Sequence, residues 1–318
     1  MSQDNVRSGI LGLAIGDALG VPVEFKTRGD LRRNPVRDMM GYGTYNQPPG
    51  AWSDDSAMAF CITEGLMGAY DLARIARNFV DWYENGFWRA TPTMRDIGMT
   101  TRNAIWNLQR GISPKDSGLS EDNTQSNGSL MRTLPLALYL EKTPNVDKFP
   151  IVEEVSAITH AHGTCKVACS LYVQTAIHLL QGYPVGLAYD LARGVIPKYY
   201  EDSPLRNDLR VFQRVLDGRI VDLAEKEIQT GGGAVMTLEA ALWCLLRNKD
   251  YSSTVLAAVN LGADTDTTAA VAGGLAGIAY GLQSRDNVKG IPSRWIEQLA
   301  RKDDIVDLIS RFAVSMGK

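Results

Sequence analysis

The sequence predicts an all-α protein. Leu72, Ile75, Ala76, Phe79, Val80 and Tyr83 recur at the three- and four-residue intervals of one helix face, and Leu238, Ala241, Leu242, Leu245 and Leu246 repeat the pattern. Alternation of the strand kind is hard to find, and capping residues such as Asp71, Thr93 and Ser252 stand at or beside the starts of apolar runs. In chain order, a first helix is expected over 5–20, ending in the glycine-rich segment Gly12–Gly20. Helices over 55–69 and 71–84 follow the acidic pair Asp54-Asp55 and the cap Asp71, and one over 93–110 follows Thr93. The polar insert Ser113–Gln125 leads through Ser126-Asn127-Gly128-Ser129 into a helix over 128–140. Apolar recurrence then predicts 151–181, 186–195, 205–217, 236–248, 251–261, 266–282 and 302–315. In the run 266–282, Gly273, Gly277 and Gly281 share one face, where missing side chains let another helix approach closely. The turn-rich loop Gly41–Gly50 and the insert 113–125 are the two segments expected to line a site.

Composition narrows the partners more than the chemistry. With 318 residues and 45% hydrophobic residues the chain can bury a large core, and a single domain over 1–318 is expected. Lys plus Arg (33) against Asp plus Glu (36) gives a net charge of -3 without long runs of either sign, so no nucleic-acid partner is expected. No uninterrupted apolar stretch reads as long enough to span a bilayer, so no membrane partner is expected, and the polar start Met1–Asn5 reads as neither signal nor transit peptide. Cys61, Cys165, Cys169 and Cys244 lie in apolar helical runs, as reduced, buried thiols of a cytoplasmic protein do.

Two acidic clusters carry the chemistry. Trp52-Ser53-Asp54-Asp55-Ser56 and Gly262-Ala263-Asp264-Thr265-Asp266-Thr267-Thr268 each set carboxylates beside a hydroxyl at the edge of an apolar run. These are hard oxygen ligands suited to magnesium, manganese or calcium, and neither cluster holds the thiol or imidazole that zinc prefers. Clustered carboxylates repel one another unless a cation neutralises them, which favours a divalent ion or a pair of them. Asp54-Asp55 alone fits a helix N-terminus equally well; the second, matching cluster tips the reading toward metal. Of the three histidines only His160 merits a site role, and Cys165 with Cys169 reads as core because no second thiol pair accompanies it.

Six motifs in order, Gly12–Gly20 with Pro22 and Glu24, Trp52–Asp55, Asn127–Arg132, Thr159-His160, Thr237–Ala241 and Asn260–Ala270, closely resemble the ADP-ribosylglycohydrolase family. The resemblance implies an orthogonal helical bundle of that type with a central binuclear metal cleft. It also implies hydrolysis of ADP-ribose from a modified protein, with N-glycosidic ADP-ribosyl-arginine favoured. The partners implied are an ADP-ribosylated protein and ADP-ribose itself. Carried over by motif, Ser53, Asp54, Asp55, Asp264, Asp266 and Thr267 would hold two divalent cations, Mg2+ or Mn2+. Glu24, Asp55 and Asp264 take the catalytic positions, with Glu24 and Asp55 both open as the general base. Asn127, Gly128, Ser129, His160 and Gly262 take substrate-binding positions, and Asp96 lies where it would meet a guanidinium.

The family also contains hydrolases of other linkages and non-enzymatic relatives. An ADP-ribose-binding or toxin-neutralising protein of the same fold, or a hydrolase of serine, nucleic-acid or small-molecule linkages, therefore stays open on sequence alone. This chain departs from the pattern at Gly231-Gly232-Gly233-Ala234, where many members carry an adenine-stacking aromatic; Trp106 and Tyr200 are the candidate replacements. Ala263, where glycine is common, reads as a small and tolerated change.

Overall fold

In the computed structural model, which describes residues 3–93, 96–143 and 146–316, the regular elements are all helical. They are α1 (Gln3–Gly20), α2 (Arg28–Arg33), α3 (Asp54–Gly65), α4 (Leu72–Asn85), α5 (Met99–Gln109), α6 (Leu134–Glu141), α7 (Lys148–Ala157), α8 (Gly163–Leu180), α9 (Val185–Tyr199), α10 (Gln213–Leu216), α11 (Ala234–Arg247), α12 (Tyr251–Asn260), α13 (Thr265–Tyr280), α14 (Ser293–Gln298) and α15 (Lys302–Ser315). Short 3-10 turns join several of them. Among the described residues, strand-like pairing is confined to isolated bridges such as Leu119 with His160 and Ser126 with Gly233.

The packing that matters for the site is the crossing of α1 with α13. Side chains added at Gly12 and Gly16 would collide with the carbonyls of Gly273 and Ala269, and one added at Gly277 with that of Ser8. Small residues at four-residue spacing on both helices therefore bring the two backbones together. Gly281 is not part of this stripe; it caps α13 with φ 69°. Both helices are almost wholly buried, and α8, α11 and α12 pack around α13 in one continuous apolar core. One stretch, Asp4–Val23, is long and apolar enough to cross a bilayer, contrary to the expectation that none is. Because 94% of its apolar window is buried inside the fold, that surface is already covered by protein. All four cysteines are free and buried.

Several boundaries differ from the sequence reading, each for a local reason. The single helix expected over 151–181 is two, α7 and α8. Between them the Ser156 carbonyl accepts both the Thr159 and His160 amides, and the His162 side chain caps α8 by accepting the Thr164 amide at 3.1 Å. The helix expected from Thr93 starts at Met99, leaving Asp96 in an extended lead-in; part of the expected start, 94–95, lies outside the described residues. The helix expected over 128–140 starts at Leu134, with Asn127–Ser129 in a 3-10 turn. Most of 205–217 is 3-10 helix, Pro204–Phe212, and α12 is capped by Asp250 rather than Ser252. The short α2 went unread although Thr27 and Asp30 form a capping box, the one local signal that marks it.

Candidate active site

The α1–α13 crossing sets the end of α1 against the first turn of α13. Gly20 lies against the Asp266 backbone, and the Thr265 hydroxyl donates to the Gly20 carbonyl at 2.8 Å. Asp17, one turn before that contact, is fully buried and caps a third helix: its carboxylate accepts the Ser53 amide at 2.9 Å, the Ser56 amide at 3.0 Å and the Ser56 hydroxyl. This fixes the N-terminus of α3, where Ser53 is the cap and Asp54 and Asp55 form the first turn. Asp17 lies in the glycine-rich segment Gly12–Gly20, and the structure makes it the acid that positions α3.

The two acidic clusters are thus brought together. Asp55 Oδ2 accepts the Ser53 hydroxyl at 2.9 Å and the Thr267 hydroxyl at 3.3 Å, so a residue from each cluster meets on one oxygen. Its other oxygen, Oδ1, is buried with no hydrogen-bond partner. Carboxylate oxygens of Glu24, Asp264 and Asp266 lie within 4.8 Å of one another, close enough to share a cation. Glu24, expected as a catalytic carboxylate and not as a ligand, is therefore in the tightest acidic group.

Burial and mutual repulsion govern the charge of this group. Desolvation first, and then Asp96, raises Asp54 well above the carboxylate range. Desolvation and Asp17 do the same for Asp55, and desolvation and Glu24 for Asp266. Asp17 is pushed up to about 6 by burial against the hydrogen bonds from Ser56 and Ser53 that oppose it. Glu24 rises to about 8, by burial and then by Asp96.

Asp96 joins through a residue that sequence reasoning missed. The Tyr45 hydroxyl lies on Glu24 Oε2 at 2.5 Å and 3.1 Å from Asp96 Oδ2, bridging the two carboxyl groups. Tyr45 belongs to the turn-rich loop Gly41–Gly50, and the Thr44 hydroxyl anchors that loop by donating to the Glu24 carbonyl at 2.8 Å. The loop was expected to line a site; that one of its tyrosines would tie two acids had no pattern in the sequence.

Of the remaining sequence candidates, Asn127, Gly128, Ser129 and His160 form a second, neutral wall, while Gly262 lies on the acidic side. Asn127 Nδ2 donates to Asp264 Oδ2 and to the Thr237 hydroxyl, both at 2.8 Å, and is the direct link between the walls. Gly128 faces the His160 ring so closely that a Cβ there would stand 2.8 Å from its Cε1, and the Ser129 hydroxyl accepts that of Ser156 at 2.9 Å. His160 is buried, bonded to Ser126 and Thr159, and held down to about 3 by burial and then by Arg132. Gly262, with φ 80°, packs on the backbone of Lys26–Arg28. Gly232 stands beside Asp264, 3.6 Å from its Oδ2 to a Cβ position. Tyr200 cannot replace the aromatic absent from Gly231–Gly233: it is fully buried, its hydroxyl held by Ser170 and Glu153. Trp106 is 41% exposed, and the Arg102 guanidinium lies over its ring.

The chain as a whole has counterparts among known proteins. The defining pattern of the family described as ADP-ribosylglycohydrolase matches residues 1–318. The chain is 32% identical over 310 residues to the ADP-ribosylarginine hydrolase Tri1 of Pseudomonas putida (strain GB-1), a match covering 96% of this chain and 76% of that protein. It is 30% identical over 305 residues to the ADP-ribosyl-(dinitrogen reductase) glycohydrolase of Rhodospirillum rubrum, covering 94% and 92% respectively. A solved structure described as an ADP-ribosylglycohydrolase-related protein complex shares the fold with a TM-score of 0.80 at 30% identity, over 99% of this chain and 98% of that one. Helical architecture, family pattern and relatives agree: this chain belongs to the ADP-ribosylglycohydrolase family and is a hydrolase of that type.

Proposed function

We propose that the protein is a metal-dependent hydrolase that releases ADP-ribose from N-glycosidically modified arginine of a target protein. The observation that carries the reading is the buried acidic group around Glu24, Asp264 and Asp266, tied through Tyr45 to Asp96. Divalent cations fit this group. Asp55 Oδ1 is buried without a partner, the strongest influences on Asp54, Asp55 and Asp266 are burial and other carboxylates, and every nearby donor is a hard oxygen. Ser53, Asp54, Asp55, Asp264, Asp266 and Thr267, with Glu24 beside them, would hold two such ions, Mg2+ or Mn2+.

When bound, the ions supply neutralising charge and Lewis acidity for ordering a ribose diol and a water. The chain's own residues do the rest. Cleaving a ribosyl bond needs a proton moved to or from water and leaving group. Glu24 is placed for that, beside Asp264 and Asp266 and with its Oε2 on the Tyr45 hydroxyl. Asp96, held by Tyr45, offers a carboxylate to a guanidinium, which supports arginine as the acceptor; the names of the Tri1 relatives point the same way. Asn127 orients Asp264 from the neutral wall.

The test is release of free ADP-ribose from arginine-modified protein with and without Mg2+ or Mn2+, beside the Asp54→Ala/Asp55→Ala variant. Metal-dependent release that the variant loses is the expected result. Absence of release from arginine, with release from a serine or nucleic-acid conjugate, would move the linkage; ADP-ribose bound but never released would make this a binding protein.

A further inference from the structure

Arg132 is fully buried; Asp54 acts on it electrostatically, but among the described residues no carboxylate lies within ion-pair distance of it. Its guanidinium lies 4.4 Å from the Phe79 ring centroid, its Nε has no partner, and one of its few polar contacts is the Thr159 hydroxyl at 2.8 Å. That contact has a fixed direction, since a guanidinium can only donate. Thr159 Oγ1 therefore accepts from Arg132, and its single proton is left for His160 Nδ1 at 2.7 Å, its only other side-chain partner among the described residues.

If His160 carried its proton on Nδ1, the Thr159 hydroxyl proton would be buried without an acceptor, which is strongly disfavoured. With Nδ1 as acceptor, the proton of the neutral ring sits on Nε2, 2.8 Å from the Ser126 hydroxyl oxygen. Ser126 Oγ then accepts, and its own proton is free. Burial and Arg132 both disfavour the imidazolium, so the ring is not doubly protonated at neutral pH. Ser126 is partly exposed where its partners behind it are buried. It pairs with Gly233 and precedes Asn127, whose side chain reaches Asp264, so it lies on the neutral wall beside the acids.

We propose that Arg132 and Thr159 are positioning residues that hold His160 as the Nε2–H tautomer, so that Ser126 presents its hydroxyl proton to an oxygen of the bound ADP-ribosyl group. The last step rests on the proposed function; the tautomer does not.

Long-range 1H–15N spectra of the full chain with 15N-histidine, in the ligand-free state at pH 7, read the ring nitrogens directly, His160 being assigned by its loss in His160→Gln. The expected result is one Nε2–H tautomer from pH 5 to 9, retained in Thr159→Ser and replaced by a mixture in Thr159→Val. An Nδ1–H ring, an imidazolium, or an unchanged spectrum in Thr159→Val would overturn the assignment. Titration with ADP-ribose in Mg2+ tests the second half: Ser126→Ala is expected to weaken binding about fivefold, the worth of one net hydrogen bond. Equal affinity in wild type and variant would overturn the role of Ser126. No binding of ADP-ribose by the wild type would overturn the functional reading instead, leaving the spectrum to decide the tautomer.

Discussion

The two walls of the cleft solve opposite electrostatic problems. On the acidic wall burial raises the proton affinity of Asp17, Glu24, Asp54, Asp55 and Asp266, neighbouring carboxylates add to it for all but Asp17, and one oxygen of Asp55 is buried without a partner. On the neutral wall the buried charge is a cation, Arg132, cushioned by Phe79, Met58 and Thr159, with thiols around it and Asp54 of the acidic wall acting on it electrostatically. The acidic wall concentrates several carboxyl groups of one sign, whereas the neutral wall buries a single cation with one unpartnered nitrogen, Arg132 Nε. Under the proposed function, the acidic wall is where cations would be held and the hydroxyls, amide and neutral imidazole of the other wall would read a neutral or anionic group by hydrogen bonds.

The largest effect comes from removing the acids. Asp54→Ala/Asp55→Ala is expected to lower turnover by more than about a hundredfold, as loss of preorganised electrostatic stabilisation does, while the fold persists. Steady-state release of ADP-ribose together with circular dichroism checks both halves. A folded variant that turns over normally would break the contrast between the walls.

Stability against pH gives the next effect, and its sign is fixed by the raised carboxyl groups. A carboxyl whose folded pKa exceeds its unfolded value contributes stability below the unfolded value, and that contribution is lost as pH rises through the folded value. For Asp17 and Glu24 the window runs from ordinary values of 3.8 and 4.5 to about 6 and about 8. Protein in EDTA is therefore expected to melt at progressively lower temperature as pH is raised from 5 to 9. Mg2+ or Mn2+ should restore stability most at the alkaline end, where no proton competes. Asp55→Asn in EDTA should flatten this profile, because it removes one of the buried carboxyl groups whose ionisation is disfavoured. A flat melting profile in EDTA would mean that the acids are not crowded.

Asn127 sharpens the comparison because it touches both walls. Asn127→Ala removes the donor on Asp264 and the tie to Thr237, and is expected to cost roughly 10- to 100-fold in metal affinity or activity, as loss of an outer-shell partner does. Isothermal titration with Mn2+ is the direct measurement. Unchanged affinity would mean the walls work independently.

How much of this was legible in the sequence differs between the walls. The acidic wall could be read because its residues come as two local strings, and paired carboxylates next to hydroxyls carry their chemistry wherever the backbone goes. The α1–α13 stripe was half legible: the spacing of Gly273 and Gly277 showed a close contact, while its partner, the Ser8–Gly20 face of α1, showed only in the fold. Tyr45, Ser126 and Arg132 were illegible as site residues because their roles are relational. A tyrosine between two acids, or an arginine that sets a hydroxyl's direction, depends on contacts across 51 and 27 residues of sequence that no local spacing encodes. The break between α7 and α8 was missed for the same reason, since apolar periodicity continues through a turn whose geometry serves His160 and Leu119.

The smallest effect concerns Ala263, which from sequence alone looked like a harmless replacement of glycine. Its backbone is left-handed, φ 65°, directly after Gly262 at φ 80°. It is held there by two main-chain bonds to the Glu24 segment: the Phe25 amide donates to the Ala263 carbonyl and the Ala263 amide to the Lys26 carbonyl, both at 2.8 Å. A left-handed alanine costs about 1–2 kcal/mol relative to glycine, offset in part because glycine gives the unfolded chain about 0.4–1 kcal/mol more conformational freedom. Ala263→Gly is therefore expected to stabilise the protein by up to about 1 kcal/mol in urea unfolding, and Ala263→Val to destabilise it, because a β-branched side chain tolerates that conformation less well. No comparable gain is available on the neutral wall, where Asn127–Ser129 sits in an ordinary 3-10 turn. Destabilisation by Ala263→Gly would show that the bonds to Phe25 and Lys26 relieve the strain rather than hold it. The acidic wall would then owe its crowding to charge alone.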